Sequence, residues 1–216
     1  MTLEEKKARA KAIIKRLGKL YPEVKCHLEF KNAFELAVST VLSAQCTDEI
    51  VNKTMVPLYK IKYKKPEDIA NDGIDSFRDN IKSINFFNNK SKSVIGLAEK
   101  LISEYNSQIP ESIEELTSLP GLGRKSANVI RGNFFGKKDC VIVDTHFKRV
   151  ASRLGLIEND NQEKIEFEVK EFVNEKDQYD FSMRIGEHGR VVCNAKKPKC
   201  EICEFTDICV FYNESK

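Results

Sequence analysis

Apolar residues recur every three to four positions along most of this 216-residue chain, which is the spacing of one face of an α-helix. Four stripes each predict an amphipathic helix: Ile13, Ile14, Leu17 and Leu20; Phe34, Val38, Val41 and Leu42; Val94, Leu97, Ala98 and Leu101; Ile165, Val169, Phe172 and Val173. Clear strand alternation is absent, and the β-branched run Val141-Ile142-Val143 is too short to force a sheet. The pattern predicts an all-α fold.

Short turn-forming segments separate the stripes at intervals of about one helix. They are Tyr21-Pro22, Lys65-Pro66, Asn71-Asp72-Gly73, Ile109-Pro110, Pro120-Gly121 and residues 132–136. Ser112 followed by Glu115 fits a capping box for the helix that leads to Leu119. The spacing favours a helical bundle with tight connections. No low-complexity linker is present, so in a two-lobed chain we expect a direct crossing near Gly136.

Composition restricts the class of protein only broadly. Hydrophobic residues make up 41% and charged residues 32% of the chain, as in ordinary folded proteins. No apolar stretch is long enough for a membrane span, and no apolar signal segment follows Met1, so we expect a cytoplasmic protein. The net charge of +3 is a weak indication of a polyanionic partner. Two local basic clusters favour phosphate contact, namely Arg124, Lys125 and Arg131, and Lys196, Lys197 and Lys199.

The segment Leu119-Pro120-Gly121-Leu122-Gly123-Arg124-Lys125-Ser126-Ala127-Asn128 is the most informative motif. A Pro-Gly-x-Gly turn that opens a helix exposes backbone N–H groups, which can bind a phosphate without any side chain. A plain helix–helix connection is the alternative, since glycine serves that role as well. The basic pair Arg124 and Lys125, at the positive end of the second helix, favours the phosphate site.

Lys125 could act as a nucleophile. Its free amine could attack a sugar C1′, expel a base and form a Schiff base. The alternative is a point charge paired with a phosphate, and the lysine alone favours that alternative. Asp144 has two compatible roles: an N-cap for the helix that follows it, and a fixed carboxylate that stabilises positive charge on a ribose or moves a proton.

Four of the seven cysteines lie close together, as Cys193-x6-Cys200-x2-Cys203-x5-Cys209. Four thiolates within seventeen residues indicate a metal site in a cytosolic chain rather than disulfides. Zinc is one possibility. One close pair flanked by two single cysteines suits a cubane iron–sulfur cluster better. The lysines inside the first loop suggest that the site supports a basic surface.

Together, the 119–128 segment, Val143-Asp144-Thr145-His146 and the cysteine spacing resemble the endonuclease III family, the helix-hairpin-helix DNA glycosylases and AP lyases of base excision repair. Two further segments are similar to that family, Leu42-Ser43-Ala44-Gln45 and His188-Gly189-Arg190-Val191-Val192-Cys193. The resemblance covers essentially the whole chain. It implies a two-lobed fold: a six-helix barrel with the helix-hairpin-helix at 26–136, and a helical lobe with the cluster loop at 1–25 and 137–216.

The resemblance also implies the site residues. Lys125 matches the nucleophile and Asp144 the catalytic aspartate. The four cysteines at 193, 200, 203 and 209 match the ligands of a [4Fe-4S] cluster, and Gln45 matches the residue that fills the gap left by an extruded nucleotide. The DNA-binding set expected on this basis is Gln45, Phe86, Gly121, Gly123, Arg124, His146, Lys196, Lys197 and Lys199.

The expected activity is excision of oxidised pyrimidines through a Lys125 Schiff base, followed by β-elimination that cuts the strand 3′ to the abasic site. The expected partner is double-stranded DNA with damaged bases or abasic sites, bound by a nucleoid-associated monomer. Two alternatives stay open: a monofunctional glycosylase, and a non-catalytic DNA-binding or redox-sensing iron–sulfur module.

One segment departs from the family pattern. Asn85-Phe86-Phe87 stands where the family often has glycine, an apolar wedge and tyrosine. Asparagine tolerates a left-handed backbone. Phenylalanine is an adequate wedge between bases, so we expect Phe86 to help open the strand.

Overall fold

The computed structural model describes residues 1–214, and in that range it contains α-helices, one short 3-10 helix and no β-strand. The α-helices are α1 (Leu3–Leu20), α2 (Ala33–Leu42), α3 (Asp48–Ile61), α4 (Pro66–Asn80), α5 (Phe87–Glu104), α6 (Ile113–Ser118), α7 (Arg124–Asn133), α8 (Thr145–Arg153), α9 (Gln162–Phe172), α10 (Glu175–Val191) and α11 (Val210–Glu214). The 3-10 helix is Cys200–Ile202. The all-α prediction is confirmed. The last two residues of the predicted 137–216 lobe, Ser215 and Lys216, lie outside the described residues.

The chain divides into two compact units. The first unit, Cys26–Gly136, contains α2 to α7. Its central helix is α2, in which every residue is buried, so α2 can be packed on all sides. The stripe from Val94 to Leu101 is fully buried in α5, which packs against α2 and α4. The break predicted at residues 71–73 is present as a kink in α4, where Gly73 has φ +76° and ψ 165°.

The second unit joins Met1–Lys25 to the described residues from Lys137 onward. Helix α1 packs against α9 and α10, and α8 packs against α10. Their shared core includes Ile13, Leu17, Phe147, Phe181 and Ile185, which are all almost completely buried. This packing explains why α1 and α9 carry apolar stripes.

Several helices begin and end where the apolar stripes and capping residues predict, with two differences. Leu20 closes the first stripe but is 40% exposed, because α1 ends there. The Ser112 hydroxyl accepts a hydrogen bond from the Glu115 amide at 3.2 Å, as predicted. The Glu115 carboxylate, however, accepts its hydrogen bond from the Ser112 hydroxyl and not from the Ser112 backbone amide that a capping box requires. A complete capping box forms instead at Thr2, with Glu5 as its second member. Among the described residues, no helix is both long and apolar enough to cross a membrane.

Candidate functional site

The glycine hairpin between α6 and α7 is held against two other helices of its unit. Leu119 and Leu122 are buried, and the Leu122 amide donates to the Leu119 carbonyl at 3.1 Å. Gly121 has φ +81°, and a Cβ placed there would lie 2.9 Å from side-chain carbons of Val41 and Ser93. Only glycine therefore permits both this backbone conformation and this close approach to α2 and α5.

The N-terminus of α7 has the features of an anion site. Its N-cap is Gly123, so no side chain caps the first turn, and that turn contains no acidic residue. Arg124 and Lys125 are the first two residues of the helix, and both are partly exposed. The first N–H groups of a helix have no acceptor within the helix, and together with the helix dipole and two cations they favour a phosphate here.

Asp144 is the N-cap of α8, as predicted, and both of its carboxylate oxygens have partners. Oδ1 accepts the Phe147 amide at 2.7 Å. Oδ2 accepts a hydrogen bond from Arg190 Nη2 of α10 at 3.2 Å. The side chain remains 20% exposed. The carboxylate is thus held in one orientation while still reachable from solvent.

The pairing of Asp144 with α10 depends on close helix packing. A Cβ at Gly189 of α10 would lie 3.0 Å from the Cβ of His146 and 3.1 Å from a methyl of Val150. Because glycine stands at this position, the start of α8 can approach α10. The structure thereby adds Arg190 to the site, a residue for which the sequence predicted no role.

His146 is half-buried beside two arginines. Its Nδ1 lies 3.2 Å from Nη2 of Arg149. Burial lowers the pKa of His146, and the positive charges of Arg190 and Arg149 lower it further, whereas Asp144 and a backbone hydrogen bond at Gly189 oppose the shift. These surroundings favour the neutral imidazole over the charged form.

The four clustered cysteines line one cavity, together with Pro198, Lys199 and several apolar side chains. Burial raises the pKa of Cys203, and the neighbouring thiols raise it further, with a backbone hydrogen bond at Phe205 opposing them. The pKa of Cys209 is raised by the same two causes. Thiols brought together in this way favour a shared positive centre. In residues 1–214, no three His, Cys, Asp or Glu side chains form a group that could hold one metal ion.

Two arginines of α8 fasten the start of the cysteine loop. Arg153 Nη1 donates to Cys193 Sγ at 3.2 Å and to the Asn194 carbonyl at 2.9 Å. Arg149 Nε donates to the Cys193 carbonyl at 3.0 Å. The loop that follows exposes three lysines, as the sequence predicted: Lys196, Lys197 and Lys199.

Gln45 and Phe86 occupy two turns of the first unit that are joined by a hydrogen bond. Both are exposed, and both have left-handed backbones, with φ +51° and +58°. Asn85 Nδ2 donates to the Gln45 carbonyl at 3.1 Å. Within the Asn85-Phe86-Phe87 segment, the left-handed residue is Phe86, the N-cap of α5.

The predicted site residues fall into two groups, one in each unit. The first unit contains Gln45, Phe86, Gly121, Gly123, Arg124 and Lys125. The second unit contains Asp144, His146, the four clustered cysteines and the three loop lysines. The other cysteines, Cys26, Cys46 and Cys140, lie outside the cysteine cavity.

Comparisons with known proteins match the chain over most of its length. A family model described as "HhH-GPD superfamily base excision DNA repair protein" matches residues 38–175. Endonuclease III of Synechocystis sp. is 39% identical over 207 residues, covering 96% of this chain and 94% of the relative. Endonuclease III of Rickettsia felis is 41% identical, covering 93% of each. A solved structure of a trapped endonuclease III–DNA covalent intermediate is similar with a TM-score of 0.92 and 32% identity, covering 100% of this chain and 99% of the other.

Proposed function

Because the chain belongs to the endonuclease III family of HhH-GPD base excision repair DNA glycosylases, we propose that it is a bifunctional member that also cuts the DNA strand. Its substrates are oxidised pyrimidines and abasic sites in double-stranded DNA. One observation carries the proposal: Lys125 lies in the first turn of α7, directly after the glycine hairpin, and the N-cap of α7 is Gly123. The similar solved structure is that of a trapped endonuclease III–DNA covalent intermediate, which supports covalent chemistry in this chain.

The hairpin and the first turn of α7 bind a backbone phosphate. Gly121 and Gly123 are exposed and let the DNA backbone approach the N–H groups at the start of α7 closely. Arg124 adds a cation to the same turn. Phosphate contacts of this kind fix the register of the protein on DNA without reading its sequence.

Lys125 supplies the nucleophile. Its free amine attacks C1′ of the damaged nucleotide, the C1′–base bond breaks, and the departing base takes up a proton. Loss of the amine proton and opening of the sugar ring give a Schiff base between Nζ and C1′. A general base then removes a proton from C2′, the C3′–O bond breaks, and the 3′ phosphate leaves. Water finally hydrolyses the Schiff base and restores the amine.

Asp144 stabilises the positive charge that develops on the sugar as the base departs. Its carboxylate is oriented before DNA binds, because the Phe147 amide holds Oδ1 and Arg190 holds Oδ2. A preoriented charge requires no reorganisation during the reaction, and this is how fixed groups lower reaction barriers.

Gln45 and Phe86 act on the base stack. A nucleotide must rotate out of the DNA duplex before an enzyme can act at its C1′, and unstacking its base costs about a few kcal/mol. Phe86 is 61% exposed, an unusual state for an aromatic side chain in a packed helical unit. We propose that Phe86 enters the stack as a wedge and that Gln45 fills the gap left by the extruded nucleotide.

We further propose that Cys193, Cys200, Cys203 and Cys209 hold a [4Fe-4S] cluster. The lining of one cavity by four thiols supports this, as does the hydrogen bond from Arg153 to Cys193 Sγ. When bound, the cluster would supply a rigid centre that fixes the loop from 193 to 200. The exposed lysines of that loop, Lys196, Lys197 and Lys199, would then meet DNA phosphates in a defined arrangement.

Borohydride trapping on a duplex with one abasic site tests the chemistry. We expect a covalent adduct with the parent protein and none with Lys125→Gln. Lys92→Gln is the matched control, since Lys92 is an exposed lysine of α5 in the same unit, and it should trap like the parent. Absence of any adduct from the parent would contradict the bifunctional assignment, and base release without strand cutting would identify a monofunctional glycosylase. A panel of duplexes with defined damaged bases tests the proposed preference for oxidised pyrimidines.

A further inference from the structure

Lys90 is a buried lysine in the first unit with no role in the chemistry described above. It lies in α5 and is only 7% exposed. Its Nζ donates a hydrogen bond to the carbonyl of Leu42 at 2.8 Å. Lysine is almost never this buried unless its charge has a partner. Burial lowers the pKa of Lys90, while the nearby Cys46 thiol opposes this shift.

The Leu42 carbonyl needs this donor because of how α2 ends. Leu42 is the last residue of α2, where backbone carbonyls lack partners and the helix dipole is negative. The Cys46 amide, which would bond to Leu42 in a continuing helix, donates to the Ser43 carbonyl at 3.1 Å instead. The chain thereby turns away from α2 and brings Gln45 into its left-handed conformation. Lys90 therefore stabilises the helix end from which the Gln45 turn starts.

Lys90 is also hydrogen-bonded to the Phe86 turn. Its backbone amide donates to the Phe86 carbonyl at 3.1 Å. The side chain of Lys90 thus holds the end of α2, from which the Gln45 turn starts, while its backbone holds the Phe86 turn. Asn85 makes a second, independent link, from its side-chain amide to the Gln45 carbonyl. The two exposed residues proposed to enter the base stack are joined underneath by these two connections.

We infer that Lys90 is a positioning residue that fixes the Gln45 turn and the Phe86 turn relative to each other, so that both side chains enter the base stack together. This inference rests on the proposed function. Two side chains that must replace one extruded nucleotide need a fixed spacing, and a spacing set before binding avoids the entropy of ordering two separate turns on the DNA. A buried lysine provides such a link because its long side chain reaches α2 while its backbone belongs to α5.

The test compares two substrates that differ only in whether the stack must be opened. One is a fully paired duplex with a single oxidised pyrimidine, and the other holds the same lesion inside a bubble of mismatched bases. Lys90→Met keeps the length and apolar stem of the side chain but removes its charge and donors. We expect the single-turnover excision rate of this variant to fall by about tenfold on the paired duplex and by less than about twofold on the bubble, because one charge-assisted hydrogen bond is lost only from the opening step.

Lys92→Met is the matched control, because Lys92 is exposed on the same helix, and it should match the parent on both substrates. Asn85→Ala gives an independent test without a buried change, since Asn85 is exposed. It should show the same preference for the bubble, with a loss of about threefold on the duplex. Equal losses on the two substrates, or no loss on either, in both variants would overturn the inference and leave Lys90 with a purely structural role. A parent protein that excises the lesion from neither substrate would refute the proposed function as well.

Discussion

Arg190 Nη2 lies 3.2 Å from Oδ2 of Asp144, while the other oxygen of that carboxylate accepts the Phe147 amide at 2.7 Å. One side chain therefore has two tasks in this protein. As an N-cap it stabilises the start of α8, and as an anion held by a cation it has a fixed direction in a partly exposed position. The two tasks can be separated by substitution.

Arg190→Gln should slow base excision with little change in stability. The pair is partly exposed, so it contributes little to folding stability, but a less firmly oriented carboxylate should lower the single-turnover rate by roughly fivefold, or about 1 kcal/mol in the barrier. Arg184→Gln is the control in the same helix, because Arg184 bonds the Tyr21 carbonyl rather than Asp144. That control should lower the melting temperature but leave the excision rate of the folded protein unchanged. An Arg190→Gln variant with the parent's rate would show that the ion pair does not orient the carboxylate.

Asp144→Asn and Asp144→Ala should differ in stability but not in chemistry. Asparagine is as good an N-cap as aspartate, whereas alanine at the N-cap costs about 1 kcal/mol. Both substitutions remove the charge, so both should lower excision by about a hundredfold or more. Urea unfolding measures the first effect and single-turnover kinetics the second. If the asparagine variant excises bases at the parent's rate, Asp144 is only a helix cap.

Asp144 also illustrates what the sequence could predict. Its N-cap role follows from residues 144–147 alone, and the apolar stripes in α5 and α9 follow from a local period of 3.6 residues. Signals of this kind are local, since both the cap and the helix face are formed by neighbours in sequence. The break in α4 was predicted for the same reason, because glycine at residue 73 is itself the signal.

Arg190 and Lys90 could not be predicted in this way. Arg190 follows Asp144 by 46 positions in the sequence, and only the packing of α8 on α10 at Gly189 brings them together. Lys90 reads in sequence as a surface lysine, and its burial follows from the arrangement of α2 and α5. The hydrogen bond from Asn85 to the Gln45 carbonyl likewise joins residues 40 positions apart. Tertiary partners decided each of these cases.

The hairpin glycines should differ sharply in their tolerance of alanine. Gly121→Ala places a Cβ in a left-handed backbone and 2.9 Å from carbons of Val41 and Ser93, so we expect a loss of about 2–4 kcal/mol in the free energy of unfolding. At Gly123, φ is −94° and a Cβ would meet no atom within 4 Å. Gly123→Ala should therefore cost about 1 kcal/mol or less. Urea unfolding tests both, and equal losses would contradict the tight packing of the hairpin at Gly121.

Stability should fall in acid partly because of Asp72. Burial raises the pKa of this carboxyl, but hydrogen bonds from Lys62, Tyr63 and Ser76 and the charge of Lys62 outweigh burial, so the net pKa lies below its usual value of 3.8. A carboxyl with a lowered pKa in the folded state stabilises the fold fully above about pH 4, and this stabilisation is lost as the pH falls through the folded-state pKa.

We expect Asp72→Asn to cost about 1 kcal/mol at pH 7 and to approach the parent in stability near pH 2 to 3. Asp75→Asn is the control, since Asp75 is 82% exposed and pairs only at the surface with Arg78. Its effect should be small at either pH. The measurement is urea unfolding of the three proteins at both pH values. A gap between parent and Asp72→Asn that stays constant with pH would contradict the lowered pKa.

Removing one cysteine of the cavity should remove the metal centre. Cys203→Ala takes away one of the four thiols that line the cavity, whereas Cys26→Ala removes a half-buried thiol elsewhere in the chain. We expect the parent and Cys26→Ala to be brown and to contain about four irons per chain, and Cys203→Ala to be colourless with a lower melting temperature. Because the pKa values of Cys203 and Cys209 are raised, metal binding must release protons, and acidification should promote loss of iron. Iron and sulfide analysis with visible absorption checks each outcome, and a colourless parent that contains zinc would replace the cluster with a structural zinc site.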